Sequence, residues 1–334
     1  MYCLKIQNIS INHATHSQKM KSSAFLQVFY EIHQAKKQRD LTPEYLNFDA
    51  TEDIFLSVYE LGKYETYFFL YAECTDFEHF KVWLTELKGF DFLTQATSQF
   101  DGWLNRETTT DEVREYKLLT KAQIQFWEEQ GYLRISGLVE PALCEEVQAL
   151  ICRHMDISLT DPNSWYKSHP DWHGLMLQLY QDESIEAIRK HPNVYQLFSE
   201  LYGSQDIIAN TEKVSFNPPV TDRWEFSAGA LHWDIDINKP IEYYIQGLIY
   251  LDDVSEDRGP LSVVPGVHLE FDEWIKAYPA FDEAHEVMRR QMKAVPVPGK
   301  KGDIIVWRHT LPHAASANYS SLPRFVQYLS FTKL

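Results

Sequence analysis

The sequence predicts a mainly β fold, a sandwich or barrel with flanking helices, preceded by a small α+β unit. Three observations carry this. From Ile207 onward the apolar pattern changes to period two, in "IIANTEKVSFNP", "GALHWDIDI", "YYIQGLIYLDD", "LSVVPGVH", "DIIVWRH" and "RFVQYLSF", and alternation of that kind marks strands with two distinct faces. Turn signals separate these runs at Asn217-Pro218-Pro219, Arg258-Gly259-Pro260 and Pro298-Gly299, which favours many short strands. Upstream, apolar residues recur at helical spacing instead.

In chain order, "SSAFLQVFYEIHQAKKQ" reads as a helix with a basic end that suits the negative pole of its dipole. "DIFLSVYELGKYETYFFLYAEC" reads as a hairpin turning at Gly62-Lys63. Thr75 or Asp76 caps a helix over "FEHFKVWLTELKG", stopped by Gly89. The polar run "NRETTTDEVREY" reads as a linker, giving an N-terminal α+β unit over 1–105, a linker over 106–118 and a second unit over 119–334. That unit opens with a Thr120/Gln123 capping box and a helix ended by Gly131. The strand "YLRISGL" follows, then a helix started by Pro141 and two helices around Ile185–His191 and Val194–Tyr202. A helical insert near Phe271–Met292 interrupts the strands.

Composition narrows the function. With 334 residues, 44% hydrophobic and 14% aromatic, the chain can bury a sizeable core. A net charge of −17 repels polyanions, so nucleic acid is not expected as a partner. No apolar run approaches membrane-spanning length and the N-terminus lacks the order of a secretion signal, so a cytoplasmic protein is expected. Cys3, Cys74, Cys144 and Cys152 form no CxxC pair and read as reduced thiols. Oligomeric state is not legible.

Two H-x-D spellings compete for a metal-site reading. In "LHWDIDI", a strand would turn His232 and Asp234 to one face, where both can reach one ion; a solvated face bearing His232, Asp234 and Asp236 is the plain alternative. In "HPDWHG", Pro170 keeps His169 and Asp171 out of regular structure, so Trp165, Tyr166, Trp172 and His173 read as a packed aromatic loop, near a substrate. Further along, His313 is available as a third ligand, and Arg324 opens a strongly apolar strand. Pointing inward, Arg324 needs an anionic partner; pointing outward, it is an exposed strand end. Two histidines and a carboxylate suit non-haem Fe(II) with open positions. A nearby Arg can grip a carboxylate through paired hydrogen bonds.

The stretches "LTKAQIQFWEEQGYLRISGLV", "LHWD", "LIYLDDVSEDRGPLSVVPGVH", "GDIIVW" and "LPHAASANYSSLPR" resemble, in order, the phytanoyl-CoA dioxygenase family of Fe(II)/2-oxoglutarate oxygenases, from about Leu119 to Leu334. The resemblance implies a double-stranded β-helix, or jelly roll, of the cupin kind. It implies Fe(II) held by His232, Asp234 and His313, with Arg324 on the distal carboxylate of 2-oxoglutarate. It selects His313 over His309 because Ser316, Asn318 and Arg324 follow at the family's offsets. Gln246, Leu248 and Tyr250 share the face that lines the cosubstrate, with Leu248 where some relatives have Trp. Lys213 occupies a cosubstrate-facing position or is an exposed strand lysine. Ser316 stands one residue beyond the usual serine, where this chain has Ala315.

The implied activity is an O2-dependent dioxygenase. It hydroxylates a small molecule while 2-oxoglutarate is oxidatively decarboxylated to succinate and CO2. Asp234 disfavours halogenation, which needs a small residue there; desaturation and epimerisation share the same early steps. A cupin-like metal dioxygenase without 2-oxoglutarate would not need Arg324, and a non-catalytic binding or scaffold protein would not need His232. The substrate pocket is expected among the aromatic loop, Arg223–Phe226 and the Phe271–Met292 insert.

Overall fold

The alternation of the second half becomes an antiparallel sheet whose two faces do different work. A computed structural model describes residues 22–106, 116–227, 229–237 and 240–334. The first elements are all helical: α1 (Ser22–Gln38), α2 (Phe48–Val58), α3 (Lys63–Phe68) continued by a π-helical turn Phe69–Glu73, α4 (Phe77–Lys88) and α5 (Phe90–Leu104). Next come α6 (Lys121–Gln130), β1 (Tyr132–Ile135), α7 (Pro141–His154), β2 (Trp172–His173), β3 (Met176–Leu177), α8 (Glu183–Arg189) and α9 (Pro192–Tyr202). The chain then forms β4 (Ile207–Ala209), β5 (Val214–Asn217), β6 (Ile245–Tyr250), β7 (Leu261–Val263), α10 (Phe271–Ala277) and α11 (Phe281–Gln291). It closes with β8 (Val295–Val297), β9 (Ile304–Arg308), β10 (His313–Ala315) and β11 (Arg324–Lys333).

The larger sheet runs β1-β9-β6-β11-β5-β3-β2, with β4 also pairing β11; the smaller runs β10-β7-β8. Every pairing is antiparallel. Residue parity assigns the faces. Leu248 and Tyr250 of β6, Ile305 and Trp307 of β9 and Val326 of β11 meet Leu261, Val263 and Val297 of the smaller sheet. Their odd or even neighbours (Ile245, Ile249, Ile304, Val306, Phe325, Leu329) pack under α7 and α9, against Val147, Ile151, Val194 and Phe198. Two facing antiparallel sheets with helices behind the larger one are the expected jelly-roll core. Thr120 and Gln123 form the expected capping box, and Gly131 takes the left-handed conformation that ends α6. Glu200 ties this unit's entry down: it accepts the N–H groups of Lys117, Leu118 and Leu119.

The N-terminal unit departs from expectation. Where a hairpin was predicted, α2 and α3 stand, Gly62 is the N-cap of α3, and no strand occurs among the described residues before β1. The β-branched and aromatic residues that suggested strands are core residues: Ile54, Phe55, Val58 and Tyr59 pack with Phe25, Phe29, Phe80 and Phe100. Burial of one such side chain contributes roughly 1.5–3 kcal/mol, which outweighs propensity differences of a few tenths. Ile208 and Leu334 join this helical core from the sheet side. The residues expected as linker lie mostly outside the described residues.

Cys74, Cys144 and Cys152 are free thiols. Among the described residues no helix is long and apolar enough to cross a membrane.

Candidate metal and cosubstrate site

"LHWDIDI" is not a strand. It is an extended segment joined to the small sheet by a single bridge, in which His232 and His313 exchange both backbone hydrogen bonds at 3.0 Å. The segment is clamped from behind. Trp233 turns away from the two candidate ligands, packs edge-on to Phe271 and donates its indole N–H to Thr310 O at 2.8 Å. The Trp233 amide donates to His285 Nε2, and Arg289 Nε donates to Leu231 O at 2.8 Å. The helical insert, expected to shape the substrate pocket, thus packs behind the ligand segment.

His232, Asp234 and His313 present one donor atom each, all within 4.8 Å of one another. His232 Nδ1 lies 2.8 Å from Ala230 O and His313 Nδ1 lies 3.1 Å from Leu311 O. A carbonyl can only accept, so both Nδ1 atoms carry hydrogen, and Nε2 of each ring is the nitrogen a metal could use in place of a proton. These Nε2 atoms face the two oxygens of Asp234, His232 at 3.5 Å from Oδ1 and His313 at 3.4 Å from Oδ2. Burial alone would raise the Asp234 carboxyl, but the two histidines hold it far below its ordinary range. Gln246 Nε2 donates to Asp234 Oδ2 at 2.8 Å, and Gln246 Oε1 accepts from Trp307 Nε1 at 3.0 Å. The donor set, oriented by carbonyls on one side and an amide on the other, is what a divalent transition metal requires.

These residues line a cavity of about 420 Å³ whose walls also include Arg324, Lys213, Leu248, Tyr328 and His173. Arg324 is 1% exposed. Its Nη1 donates to Gly259 O at 2.6 Å and Nη2 to Ser215 Oγ at 3.2 Å, while Nε has no partner. A buried guanidinium with an unused donor at a cavity wall calls for an anion. Gly259 is needed for this grip: its φ is +63°, and a Cβ would come within 2.4 Å of Asn217 Nδ2 and 2.8 Å of Ser316 O.

The remaining expected residues divide. Gln246 is in place, holding Asp234. Lys213 borders the cavity, with Nζ 3.7 Å from Glu212 and 5.8 Å from the Tyr328 ring centre. Ser316 is not brought to it: its hydroxyl pairs with Ser262 Oγ at 2.7 Å and is not among the lining groups. His309, the rival of His313, faces the Tyr244 ring, and burial pushes its imidazole down to about 4. Tyr244, Tyr328 and Ser330 line the cavity and were missed. Strand parity points to them, counting by twos from Gln246 back and from Arg324 forward.

The rival spelling has a surprise. His154, at the end of α7, reaches Asp171 Oδ2 with Nε2 at 2.9 Å, and His169 Nδ1 lies 3.8 Å from the same oxygen. These three also present one donor atom each, all within 4.8 Å of one another. The expected aromatic packing holds around them: Trp172 stacks on Trp224 and meets Phe216 edge-on, while His173 to Met176 border the cavity.

Comparisons with known proteins find relatives of this chain. The family model described as phytanoyl-CoA dioxygenase matches residues 127–326. A provisionally named phytanoyl-CoA dioxygenase of Dictyostelium discoideum is 23% identical over 259 residues, covering 61% of this chain and 73% of its own. Similar solved structures include a non-heme α-ketoglutarate-dependent epimerase of nogalamycin biosynthesis, at 19% identity and a TM-score of 0.48, covering 64% of this chain and 82% of that one. EctD from S. alaskensis in its apo form is 15% identical with a TM-score of 0.47, covering 68% and 81%.

Proposed function

The chain belongs to the phytanoyl-CoA dioxygenase family, and we propose that it is an Fe(II)- and 2-oxoglutarate-dependent dioxygenase that hydroxylates a small organic molecule. One observation carries the reading. A His–Asp–His donor set and a buried arginine with an unused Nε–H share the wall of one cavity.

His232 Nε2, Asp234 and His313 Nε2 would hold the iron, and Arg324 the distal carboxylate of 2-oxoglutarate. Bound iron supplies the activation of O2 that couples cosubstrate decarboxylation to C–H oxidation. The chain's own residues supply orientation. Ala230 and Leu311 carbonyls fix both imidazoles in the ligating tautomer. Gln246, braced by Trp307, fixes the carboxylate. Leu248, Leu261 and Tyr328 add apolar surface to the cavity that the donor set and Arg324 also line, which limits water there.

The test is succinate formation from 2-oxoglutarate by Fe(II)-loaded protein under O2, followed by mass spectrometry of the oxidised substrate under 18O2. Succinate formation that depends on iron and on Arg324 supports the reading. Iron-dependent oxidation that ignores 2-oxoglutarate would replace it with a cupin-like dioxygenase.

A further inference from the structure

A second cavity, of about 550 Å³, lies between the N-terminal helices and the sheets. One wall is helical: Ser57 of α2, and Lys63, Tyr64 and Tyr67 of α3. The other wall includes Tyr180 and Asn210. The two cavities share Glu212, Lys213, Asp234 and Tyr244, so they meet at the carboxylate of the candidate metal site, and Arg324 lines only the first.

The helical wall is fastened closely. Ser57 Oγ donates to Asn210 Oδ1 at 2.7 Å, and Asn210 Nδ2 donates to the Tyr244 hydroxyl at 2.8 Å and to Ser330 Oγ at 3.0 Å. One hydrogen-bonded chain therefore runs from α2 to residues beside the donor set. Gln181 Nε2 donates to Glu65 Oε2 at 2.9 Å and to Glu60 O at 3.1 Å. Gly62 is pressed on Tyr180 so closely that a Cβ would sit 2.6–2.9 Å from the ring.

The chemistry of the walls restricts the occupant. Tyrosine, serine, threonine and asparagine dominate; the two leucines, Leu56 and Leu61, are buried in the helical core. Both lysines already have carboxylates: Lys63 Nζ lies 2.8 Å from Asp53 and Lys213 Nζ lies 3.7 Å from Glu212. The lining sets three carboxylates, Asp53, Glu212 and Asp234, against these two lysines, so a phosphate would meet net negative charge, whereas the carboxylates and the tyrosine faces suit hydroxyl-bearing or cationic groups.

We propose that the N-terminal helices form the substrate half of the active site, and that the substrate is a small hydroxyl- or amine-bearing molecule, uncharged or cationic, not a phosphate-bearing acyl thioester. This rests on the oxygenase reading above. The cavity volume suits such a molecule.

The test uses the full chain loaded with Fe(II) and 2-oxoglutarate. Succinate formation is measured alone and with glucosamine, myo-inositol, ethanolamine or palmitoyl-CoA, and binding of each probe is measured by calorimetry. At least one of the first three is expected to raise succinate formation about tenfold, palmitoyl-CoA is not, and Tyr64→Ala should weaken binding of the active probe about tenfold. Tyr64 is half-exposed, so this change leaves the core intact; Tyr67→Phe, which keeps the ring, is the second variant and should lower affinity less. Stimulation by palmitoyl-CoA, stimulation by none of the polar probes, or unchanged probe affinity in both variants overturns the proposal while leaving the oxygenase reading standing. Wild-type protein that makes no succinate under any of these conditions removes that reading and this inference with it.

Discussion

Two groups of two histidines and one aspartate, of the same composition, differ in what surrounds them. In the group of His232, Asp234 and His313, each Nδ1 is engaged by a backbone carbonyl, so each Nε2 is free to bind. In the group of His154, His169 and Asp171, the Asp171 amide donates to His169 Nδ1 at 3.2 Å and occupies the nitrogen nearest the carboxylate. The first carboxylate is braced by Gln246 and faces a cavity that ends at a buried arginine. The second closes onto a single histidine at 2.9 Å, as an ordinary half-exposed pair does. Donor spacing is thus the weaker half of a metal-site argument. The stronger half is which lone pairs the surroundings leave unused.

That contrast can be broken by experiment. Asp234→Ala or His313→Ala should abolish stoichiometric Fe(II) binding and reduce succinate formation by about 100-fold or more, as loss of a direct ligand does. Asp171→Ala should leave both within about twofold; iron lost there and kept at Asp234→Ala would exchange the two groups' roles. Next in size, Arg324→Gln should raise the 2-oxoglutarate KM by about 30-fold, roughly the 2 kcal/mol of a charge-assisted pair. Iron affinity, read by calorimetry, should hardly change. Gln246→Leu removes the donor on Asp234, and iron should bind about tenfold more weakly with the KM for 2-oxoglutarate little altered. Smallest, His154→Gln should shift unfolding free energy by less than about 1 kcal/mol in a denaturant titration, because the pair is partly solvated.

The sheets were legible because β strands buried on both faces still alternate in what they touch. "YIQGLIYL" put Gln246 on one face with Leu248 and Tyr250, while "RFVQYLSF" left Arg324 open between inward and exposed; in the structure both Gln246 and Arg324 line the cavity. The N-terminal unit was misread because Tyr, Phe, Val and Ile at Ile54 to Tyr71 carry strand propensity, whereas packing around Phe25, Phe29 and Phe100 decides the outcome. Of the site, His232 and Asp234 could be paired from local spacing alone. His313 came from the resemblance, since local pattern does not separate it from His309. His154 escaped notice altogether, because only the tertiary fold carries the end of α7 to the aromatic loop. Ser316 stands outside the cavity lining, its hydroxyl paired with Ser262.

β11 pairs with β6 on one side and β5 on the other, yet it follows both in the chain. Until β11 arrives, two sheet edges stay open and both of the sheet's halves lack their shared neighbour. Assembly is therefore dominated by distant pairings, the kind that fold slowly and expose partly built sheets to self-association. The strand that brings Arg324 to the cavity is also the one that joins the two halves of the sheet, so a chain competent to grip an anion there has already closed its larger sheet.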